Sequence, residues 1–551
     1  MADYAGLAVL LAAASLLFLP GISLRSLWGS EGRWAVIARE MIQTGDYFLP
    51  TINGQVYFDK PLLSYWAIIP FAWLTGVTET TARLPGALAG IATVGIVYAL
   101  GRRLFGRETG FLGGIVLITT VMFGFWSRTA SAELLNVLAI WLMLWVLAGD
   151  RRPSFGRYLA FYVVAAVSAF CKGPVAPAVA LMTTAALSVT EIVADVRSNG
   201  RVRARVCLAR HFGWILSLKG SLAALCGLIV FALLFFLPVI ATGSWDAAEL
   251  MWRENVTRFF KPFDHVEPFY SYVKHIPVFL LPWSFVAAAS LLSIGGWEAG
   301  RSRRWLICVT VAIFMFFTLS GSRRSYYILP IVPAFALIMG RSVAGFLYGA
   351  REKDPVVMKG SLIITGLLPV LGGGAMIAAY LWFEQYRHIS EIIIGPVVTA
   401  AGVFALMLLY KRKFIPGIIL TVLALFGLLS WGYTAGSLIG ERERTLKPFA
   451  AGLKSHLEGV DREKIAMYGV GNSSLIFYLA MPGPVRTIGD MTGACAYVRR
   501  PGNYLVTEDF QADRITKACG PANMVRVLAQ PGEGKKRDRE GLVLFRTREG
   551  P

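Results

Sequence analysis

Long apolar runs separated by short charged connectors are the feature that most constrains this chain. Of its 551 residues, 56% are hydrophobic and only 16% are charged, whereas a soluble domain carries about a quarter charged residues. Several runs reach the ~20 residues that cross a bilayer core. The runs cover residues 6–24, 83–101, 111–126, 133–149, 158–171, 174–191, 220–243, 276–294, 305–319, 326–345, 360–382, 391–410 and 414–438. The sequence therefore predicts an all-α polytopic membrane protein with about thirteen transmembrane helices.

Every second connector between these runs is basic, which predicts how the chain is oriented. The basic set contains Arg102, Arg103 and Arg107; Arg151, Arg152 and Arg157; Arg201, Arg203, Arg205 and Arg210; Arg301, Arg303 and Arg304; Arg351, Lys353 and Lys359; and Lys411, Arg412 and Lys413. Because positively charged loops stay in the cytoplasm, the long connectors at 25–82 and 244–275 and the C-terminus are predicted to be periplasmic. The net charge of +20 follows from this bias. No nucleic-acid-binding motif accompanies it, so nucleic acid is not an expected partner.

The character of the chain changes near residue 440. The strand-like runs are Ile465–Val470, Tyr504–Thr507, Met524–Leu528 and Leu542–Phe545, and they are accompanied by helix-like stretches at Leu446–Leu457 and Ser473–Leu479. This alternation predicts a transmembrane domain over residues 1–439 and a small periplasmic α/β domain over residues 440–551. Cys495 and Cys519 both fall in the second domain. Either they form a disulfide, as an oxidising periplasm permits, or they are two free buried thiols.

The first long connector contains a predicted surface helix. Ser30 is a favoured N-cap residue and Gly45 a favoured helix end. Trp34 lies on one face of the helix and Ile37 on another, which predicts an amphipathic helix along the membrane surface. Glu31 would occupy the first helical position. Its carboxylate either complements the helix dipole or acts on an acceptor, as a base or as a partner for a hydroxyl or amine.

Other polar side chains of the predicted periplasmic connectors have two interpretations each. Lys60, next to Asp59, can bind a lipid phosphate or snorkel to the interface. Glu133 opens the fourth run, where a carboxylate is costly unless it is paired; Arg128 or a basic group from another connector would be its partner. His265 is either an ordinary surface residue or a group that binds phosphate or, together with Asp59, a divalent metal.

The polar groups concentrate at one interface of the predicted bundle. Arg323 and Arg324 lie on the predicted periplasmic side against the orientation rule, which suggests that they meet an anionic head group, with Tyr327 beside it. The middles of the apolar runs carry almost no charge. A transporter would place ionisable groups near the bilayer midplane. The distribution therefore favours an enzyme acting on lipid-linked substrates, and a lipid-carrier flippase or transporter is the alternative from another class.

Five segments carry a family resemblance that runs through the whole membrane part. They lie at residues 30–46, 57–61, 128–133, 255–268 and 324–330. In that order they resemble the motifs D-E-x-R-Y-A-x-I-A-R-E-M…G-D, Y-F-E/D-K-P, R-T-x-x-x-D, N-x-x-R-F…H-x-x-P and K-R-x-x-Y-L-L-P. These motifs are those of the bacterial aminoarabinose transferases, which belong with the protein O-mannosyltransferase-like members of the GT-C superfamily.

The resemblance implies an inverting glycosyltransferase with a GT-C fold in the bacterial inner membrane. It would move a sugar, such as aminoarabinose, from undecaprenyl phosphate to lipid A or another glycolipid at the periplasmic face, a modification linked to polymyxin resistance. The catalytic carboxylates would be Glu31, Glu133 and Asp59. The donor phosphate would be bound by Lys60, Arg33, Arg258 and Arg324, with Tyr57 and Tyr327. No cofactor is required, although Asp59 and His265 would be the ligands of a divalent metal if one binds.

Two positions depart from the family pattern. The family has an Asp directly before the Glu of the first motif, where this chain has Ser30, and an Asp where this chain has Glu133. The base would then be Glu31, Asp59 or Glu133. A protein O-glycosyltransferase that uses the same class of donor is the alternative within the same chemistry.

Overall fold

A computed structural model gives the structure of the chain. It describes residues 2–58, 60–148, 154–199, 212, 214–215, 217–253, 257, 260–261, 266–298, 300–349, 355–384, 387–519, 524–530 and 541–548. The α-helices of these residues, numbered α1 to α24, are Ala2–Phe18, Glu31–Thr44, Leu63–Trp66, Ile69–Thr75, Glu79–Phe105, Arg107–Ile118, Val121–Ser127, Glu133–Leu147, Phe155–Lys172, Val175–Asn199, Leu218–Thr242, Asp246–Trp252, Ser271–Phe279, Ser284–Ser293, Arg301–Leu319, Val332–Tyr348, Pro355–Trp382, Ile389–Tyr410, Phe414–Tyr433, Ala435–Arg444, Lys447–Leu457, Ser473–Leu479, Met491–Val498 and Asp509–Cys519. The strands β1 to β7 are Thr51–Ile52, Gln55–Val56, Ile465–Tyr468, Arg486–Ile488, Tyr504–Glu508, Met524–Ala529 and Leu542–Thr547.

Each predicted apolar run contains a helix. Nine helices of the described residues are long and apolar enough to cross a membrane, and two bent pairs raise this number to eleven if each pair is one span. The pairs are α6 with α7, and α13 with Ser284–Gly296. Two further predicted runs coincide with the shorter apolar helices Tyr4–Phe18 and Glu133–Leu147. A multi-pass membrane protein is confirmed, and thirteen crossings stay a prediction.

The two bent helix pairs form hydrogen bonds with each other at the points where their helices are interrupted. The chain bends by 68° between α6 and α7, and by 111° after α13. The amide of Val121 donates to the carbonyl of Leu281 at 2.9 Å, and the indole of Trp283 donates to the hydroxyl of Thr119 at 2.9 Å. A bilayer core offers no water to free N–H and C=O groups, so irregular backbone at membrane depth needs such pairing.

Glycines bring three helices into backbone contact. A Cβ atom at Gly101 of α5 would lie 2.6 Å from the Cα of Gly110 in α6. A Cβ atom at Gly340 of α16 would lie 2.6 Å from the backbone nitrogen of Gly113. Apolar side chains gain little from leaving lipid for protein, so close packing of small residues stabilises helix contacts in membranes.

The chain divides into two compact units. The first, the membrane unit, comprises Met1–Ile22, Phe58–Leu74 and Arg83–Gly436. The second, the α/β unit, comprises Ser23–Tyr57, Thr75–Ala82 and Ser437–Pro551. Parts of the first long connector therefore cluster with the C-terminal part of the chain, although more than half of the sequence lies between them.

A five-stranded mixed sheet with the order β4-β3-β5-β7-β6 forms the centre of the α/β unit. Strand β3 pairs in parallel with β4 and β5, and β7 pairs antiparallel with β5 and β6. Side chains alternate between the two faces of a strand. Ile465 and Met467 pack with α21 and α22, whereas Ala466 packs on the opposite face with α23 and α24. All four predicted strand-like runs are strands; β4, with three residues, is too short to leave a pattern in the sequence.

A disulfide joins two helices on one face of this sheet. Cys495 of α23 is bonded to Cys519 of α24. Of the two alternatives left open by the sequence, the structure thus contains the bridge. Disulfides persist in oxidising compartments such as the periplasm.

Candidate active site

Glu133, Lys172 and Tyr327 form a cluster in the membrane unit, with Glu133 buried and the other two half-buried. Glu133 is the first residue of α8 and is 6% exposed. Its carboxylate accepts a hydrogen bond from the ammonium of Lys172, the last residue of α9, and the two form an ion pair. The same ammonium lies 4.5 Å from the centre of the Tyr327 ring, within reach of a cation–π interaction. Lys172, which was not among the predicted residues, thus joins two that were.

Hydrogen bonds between elements hold this cluster in place. The indole of Trp141 on α8 donates at 3.0 Å to the carbonyl of Pro330, in the 3-10 helix Ser325–Ile331 that carries the tyrosine. The hydroxyl of Ser64 on α3 donates at 2.8 Å to the carbonyl of Cys171 at the end of α9. Two pairs of segments, α8 with the 3-10 helix and α3 with α9, are therefore each fixed by a hydrogen bond near the charged pair.

The position of Lys172 in the sequence indicates that its ammonium lies near a membrane interface. It separates two apolar runs on the predicted periplasmic side, and Gly173, with φ of 69°, ends the helix directly after it. A lysine at the edge of a run usually snorkels to the interface. Its actual partner, Glu133, is 39 residues away, and only packing reveals that pairing.

Asn136 lies one helical turn after Glu133 and has a buried amide. The residue is 1% exposed, and neither its Nδ2 nor its Oδ1 atom has a hydrogen-bond partner within the described part of the chain. Residues at i and i+3 share a helix face. A buried amide without a partner costs about 1–3 kcal/mol. Within the described residues, the Asn136 amide therefore keeps unused hydrogen-bonding capacity one turn from Glu133.

The two adjacent arginines have different surroundings. Arg323 donates to the carbonyl of Thr318 at 2.9 and 3.2 Å and to the carbonyl of Glu267 at 2.6 Å, so it joins two connectors. Arg324 donates to the Tyr326 hydroxyl at 2.7 Å. A structural role thus accounts for Arg323, and phosphate binding by Arg324 stays a prediction.

Three predicted site residues, Asp59, Arg258 and His265, lie outside the described residues, so their roles stay predictions. Lys60 is described and half-buried, just before α3 begins at Leu63. Within the described ranges, no three or more His, Cys, Asp or Glu side chains form a group that could hold a metal ion.

Glu31 is held by its local surroundings in the α/β unit. Helix α2 begins at this residue, as predicted, and Glu31 is 1% exposed. Its Oε2 atom accepts from the backbone N–H of Trp28 at 3.2 Å and lies 3.5 Å from a guanidinium nitrogen of Arg25. The predicted cap of Ser30 is wrong at the side chain, which makes no capping bond because its backbone is already helical. The carboxylate of Glu31 binds the N-terminal loop instead.

Arg33 and Tyr57 are two further predicted site residues that the structure brings together. One guanidinium nitrogen of Arg33 donates to the Tyr57 hydroxyl at 2.5 Å. The guanidinium carbon lies 5.7 Å from the centre of the same ring. The hydrogen bond and the ring contact together hold the guanidinium of Arg33 in one orientation. A planar guanidinium that is held in place is the side-chain group that best matches a phosphate.

Helix α2 packs against protein on more than one face, whereas a helix on a membrane surface was expected. Trp34 and Ile37, from different faces, are 6% and 0% exposed. A Cβ atom at Gly32 would lie 2.5 Å from the backbone nitrogen of Ser474, so the start of α2 packs directly on the start of α22. The predicted end at Gly45 is confirmed, with φ of 73°.

Two half-buried ionisable groups reinforce this packing. The Arg39 guanidinium donates to the carbonyls of Ile476 and Phe477 at 3.0 and 2.8 Å, and its burial lowers the pKa of Arg39 from the ordinary value. The Tyr478 hydroxyl accepts from the backbone N–H of Leu27 at 2.7 Å, and burial raises the pKa of Tyr478. The Tyr478 hydroxyl also donates to the Glu79 carboxylate at 3.2 Å. Both groups keep their protons near neutral pH and act as structural donors.

Comparison with known proteins supports the resemblance seen in the motifs. The family model for dolichyl-phosphate-mannose-protein mannosyltransferases matches residues 59–198. The undecaprenyl phosphate-alpha-4-amino-4-deoxy-L-arabinose arabinosyl transferase of Serratia proteamaculans is 26% identical over 410 residues, which are 70% of this chain and 68% of that protein. The protein of the same name from Yersinia enterocolitica is 27% identical, over 61% of this chain and 58% of its own length.

Solved structures show the same relationship at the level of the fold. The crystal structure of ArnT from Cupriavidus metallidurans bound to undecaprenyl phosphate superposes with a TM-score of 0.71 at 19% identity. The match covers 98% of this chain and 97% of ArnT. The chain therefore has the fold of the aminoarabinose transferase ArnT, and the resemblance stated from its motifs is confirmed.

Proposed function

We propose that this chain is an inverting glycosyltransferase that moves a sugar from a polyprenyl-phosphate carrier to a glycolipid acceptor. The observation that carries the proposal is the cluster of Glu133, Lys172 and Tyr327, in which a buried carboxylate meets a half-buried ammonium and a half-buried phenol among apolar helices. Ionisable groups inside a membrane protein are costly and are kept for function. The names of the relatives supply the substrate class, and aminoarabinose and lipid A are the first pair to test.

In the proposed reaction, an oxygen of the acceptor forms a bond to the anomeric carbon of the sugar. The bond from that carbon to the carrier phosphate breaks at the same time, and its electron pair leaves with the phosphate. Attack from the side opposite to the leaving group inverts the anomeric centre. Lys60 and Arg324 would neutralise the charge that develops on the phosphate, with Arg258 as a further cation.

The carboxylates would act on the acceptor. A phosphate acceptor is already anionic and hardly needs a base, whereas a hydroxyl acceptor must lose a proton in the transition state. Glu133 and Glu31 are each held by a cation of the chain, Lys172 and Arg25 respectively. Carboxylates held in this way would position the acceptor and receive its proton where one is released.

The site is proposed to face the periplasm. The positive-inside rule, applied to the basic connectors, predicts that the opposite ends of the helices are cytoplasmic, and the disulfide in the α/β unit suits an oxidising compartment. The proposed topology has thirteen membrane crossings, and both long connectors lie in the periplasm. Cysteine labelling of intact cells at the exposed residues Trp28 and Arg499 would test it, because both are proposed to be periplasmic.

The proposed function is tested with purified protein in nanodiscs, polyprenyl-phosphate sugars as donors and lipid A as acceptor. The wild type is expected to raise the mass of lipid A by one sugar. Glu133→Gln should lose transfer, whereas Glu384→Gln, at a carboxylate whose side chain is 86% exposed, should keep it. Label on protein and none on lipid A would favour a protein O-glycosyltransferase. Transfer of an intact donor across the bilayer without loss of sugar would refute an enzyme and favour a flippase.

A further inference from the structure

Two fully buried polar side chains near the pair of Glu133 and Lys172 have no hydrogen-bond partner within the described part of the chain. Asn136, one turn along α8, is 1% exposed, and both polar atoms of its amide are unpaired. Tyr272, the second residue of α13, is 0% exposed, and its hydroxyl is unpaired. Buried polar groups in native proteins are nearly always hydrogen-bonded. Each of these two groups is therefore suited to a partner that the chain itself does not supply.

Tyr272 neighbours the charged pair although it lies on a different helix. Its phenol interacts electrostatically with Tyr327 and with Glu133. Tyr272 also belongs to the buried core against which Tyr327 packs, and α13 contacts the 3-10 helix Ser325–Ile331. The same 3-10 helix contacts α8, which carries Glu133 and Asn136. The two unpaired groups therefore lie near one charged pair, on two helices that share a neighbour.

Hydrogen bonds between segments fix the backbone that carries both groups. Arg323, just before the 3-10 helix, donates at 2.6 Å to the carbonyl of Glu267, just before α13. The indole of Trp141 on α8 donates at 3.0 Å to the carbonyl of Pro330 in the 3-10 helix. Both helices are thus joined to the same segment. Polar groups that are held in place before binding avoid the entropic cost of being ordered by the ligand.

The chemistry of the two groups fits the hydroxyl groups of a sugar. An amide and a phenol each donate and accept hydrogen bonds, as a sugar hydroxyl does. Both groups are uncharged, so they cannot neutralise a phosphate. The polyprenyl chain has no polar atoms for them to bond. Of the three parts of a lipid-linked sugar, the sugar ring is therefore the part that matches both groups.

The surroundings of Tyr272 favour the sugar that is transferred over the sugars of the acceptor. In the proposed reaction, the anomeric carbon of the transferred sugar lies between the carrier phosphate and the acceptor oxygen. Tyr327 is proposed to bind the donor phosphate, and Glu133 is proposed to position the acceptor. Tyr272 interacts with both residues. A group bonded to its hydroxyl is therefore expected between the phosphate and the acceptor, where the transferred sugar lies.

We infer that Asn136 and Tyr272 bind the hydroxyl groups of the transferred sugar and determine which sugar the enzyme accepts. This inference rests on the proposed function. It adds two specificity-determining residues that the sequence motifs do not include.

Two variants remove the polar groups with little change of shape. Tyr272→Phe deletes the hydroxyl, and Asn136→Leu replaces the amide by an apolar group of similar volume. Because each variant removes a buried polar group without a partner, its unfolding temperature should equal or exceed that of the wild type. Thr365→Val is the matched control. Thr365 on α17 is 0% exposed, and its hydroxyl also lacks a partner among the described residues.

Binding in nanodiscs without acceptor tests the sugar contact directly. The probes are undecaprenyl phosphate alone, undecaprenyl phosphate carrying aminoarabinose, and undecaprenyl phosphate carrying mannose. The wild type should bind at least one sugar-bearing carrier about tenfold more tightly than the bare carrier. Tyr272→Phe and Asn136→Leu should each lower this preference by about fivefold, the effect of one hydrogen bond. Their affinity for the bare carrier, and all affinities of Thr365→Val, should match the wild type.

Transfer kinetics with the preferred donor distinguish the two possible sources of sugar hydroxyls. The KM for the donor should rise by about fivefold in Tyr272→Phe, and the KM for lipid A should change by less than about twofold. A rise in the KM for lipid A with an unchanged donor KM assigns the groups to the acceptor and overturns the inference.

The binding experiment can overturn the inference without any transfer. Equal affinity of the wild type for the bare carrier and both sugar-bearing carriers does so, as does an undiminished preference in Tyr272→Phe and Asn136→Leu. An equal loss of preference in Thr365→Val also overturns it. Absence of transfer by the wild type with any donor overturns the proposed function, while the binding preference still decides whether these groups contact a sugar.

Discussion

The buried pair of Glu133 and Lys172 yields the most specific energetic prediction. Their side chains are 8% and 14% exposed, so neither charge is well solvated. Removing one partner of a buried ion pair leaves the other charge without compensation and costs about 3–5 kcal/mol. Lys172→Met should therefore destabilise the protein by about this amount, although methionine fills a similar volume among apolar helices.

A double-mutant cycle isolates the interaction from the loss of volume. Glu133→Gln removes the opposite charge, and the double variant removes both. Because the double variant leaves no unpaired charge, its loss of stability should be smaller than the sum of the two single losses, with a coupling of about 1–3 kcal/mol. The free energy of unfolding can be measured by reversible SDS titration in mixed micelles.

The control cycle uses Arg387 and Glu384, which lie 3.4 Å apart with side chains that are 45% and 86% exposed. Exposed pairs contribute about 0–1 kcal/mol, so this cycle should show little coupling. If the Glu133–Lys172 cycle is additive within about 0.5 kcal/mol, the buried pair is not an energetic unit and the reasoning is refuted. The double variant should also be folded and inactive, which separates the structural effect from the loss of the carboxylate.

Two further predictions concern the α/β unit. Gly32→Ala should destabilise the protein by about 1–3 kcal/mol in thermal unfolding, because its Cβ atom would lie 2.5 Å from the backbone nitrogen of Ser474. Gly374→Ala, which meets nothing within 4 Å in a helix, should be neutral or stabilising by up to ~1 kcal/mol, and an equal loss in both variants would contradict the packing argument. Cys495→Ser should cost about 2–4 kcal/mol by opening the bridge to Cys519, 24 residues away. A reductant should lower the unfolding midpoint of the wild type and leave that of the variant unchanged.

Local features were predictable because their causes are local. The apolar runs locate the helices, since only a helix satisfies its own backbone in a membrane. The helix from Glu31 to Gly45 and the strands near Ile465 and Tyr504 follow from caps, periodicity and side-chain type. The motif segments predicted Glu133 and Tyr327 as residues of one active site, and their roles stay predictions; in the structure both contact Lys172.

Other features depended on contacts between distant parts of the chain. The ammonium of Lys172 could have snorkelled to the interface, and its bond to Glu133 exists because α8 and α9 pack side by side. The pattern of α2 predicts a surface helix, but Trp34 and Ile37, which lie on different faces of it, are both buried in the structure.

What the sequence by itself determined is therefore the set of helices and strands and the residue types available for chemistry. What only the tertiary structure decided is which of these residues meet. It paired Glu133 with Lys172, and it joined the first connector to the C-terminal sheet to form a cavity around Arg33. The physical reason is that periodicity and capping act over a few residues. Ion pairs and cavities depend on packing between distant segments, and the number of residues between two segments does not determine how far apart they lie in space.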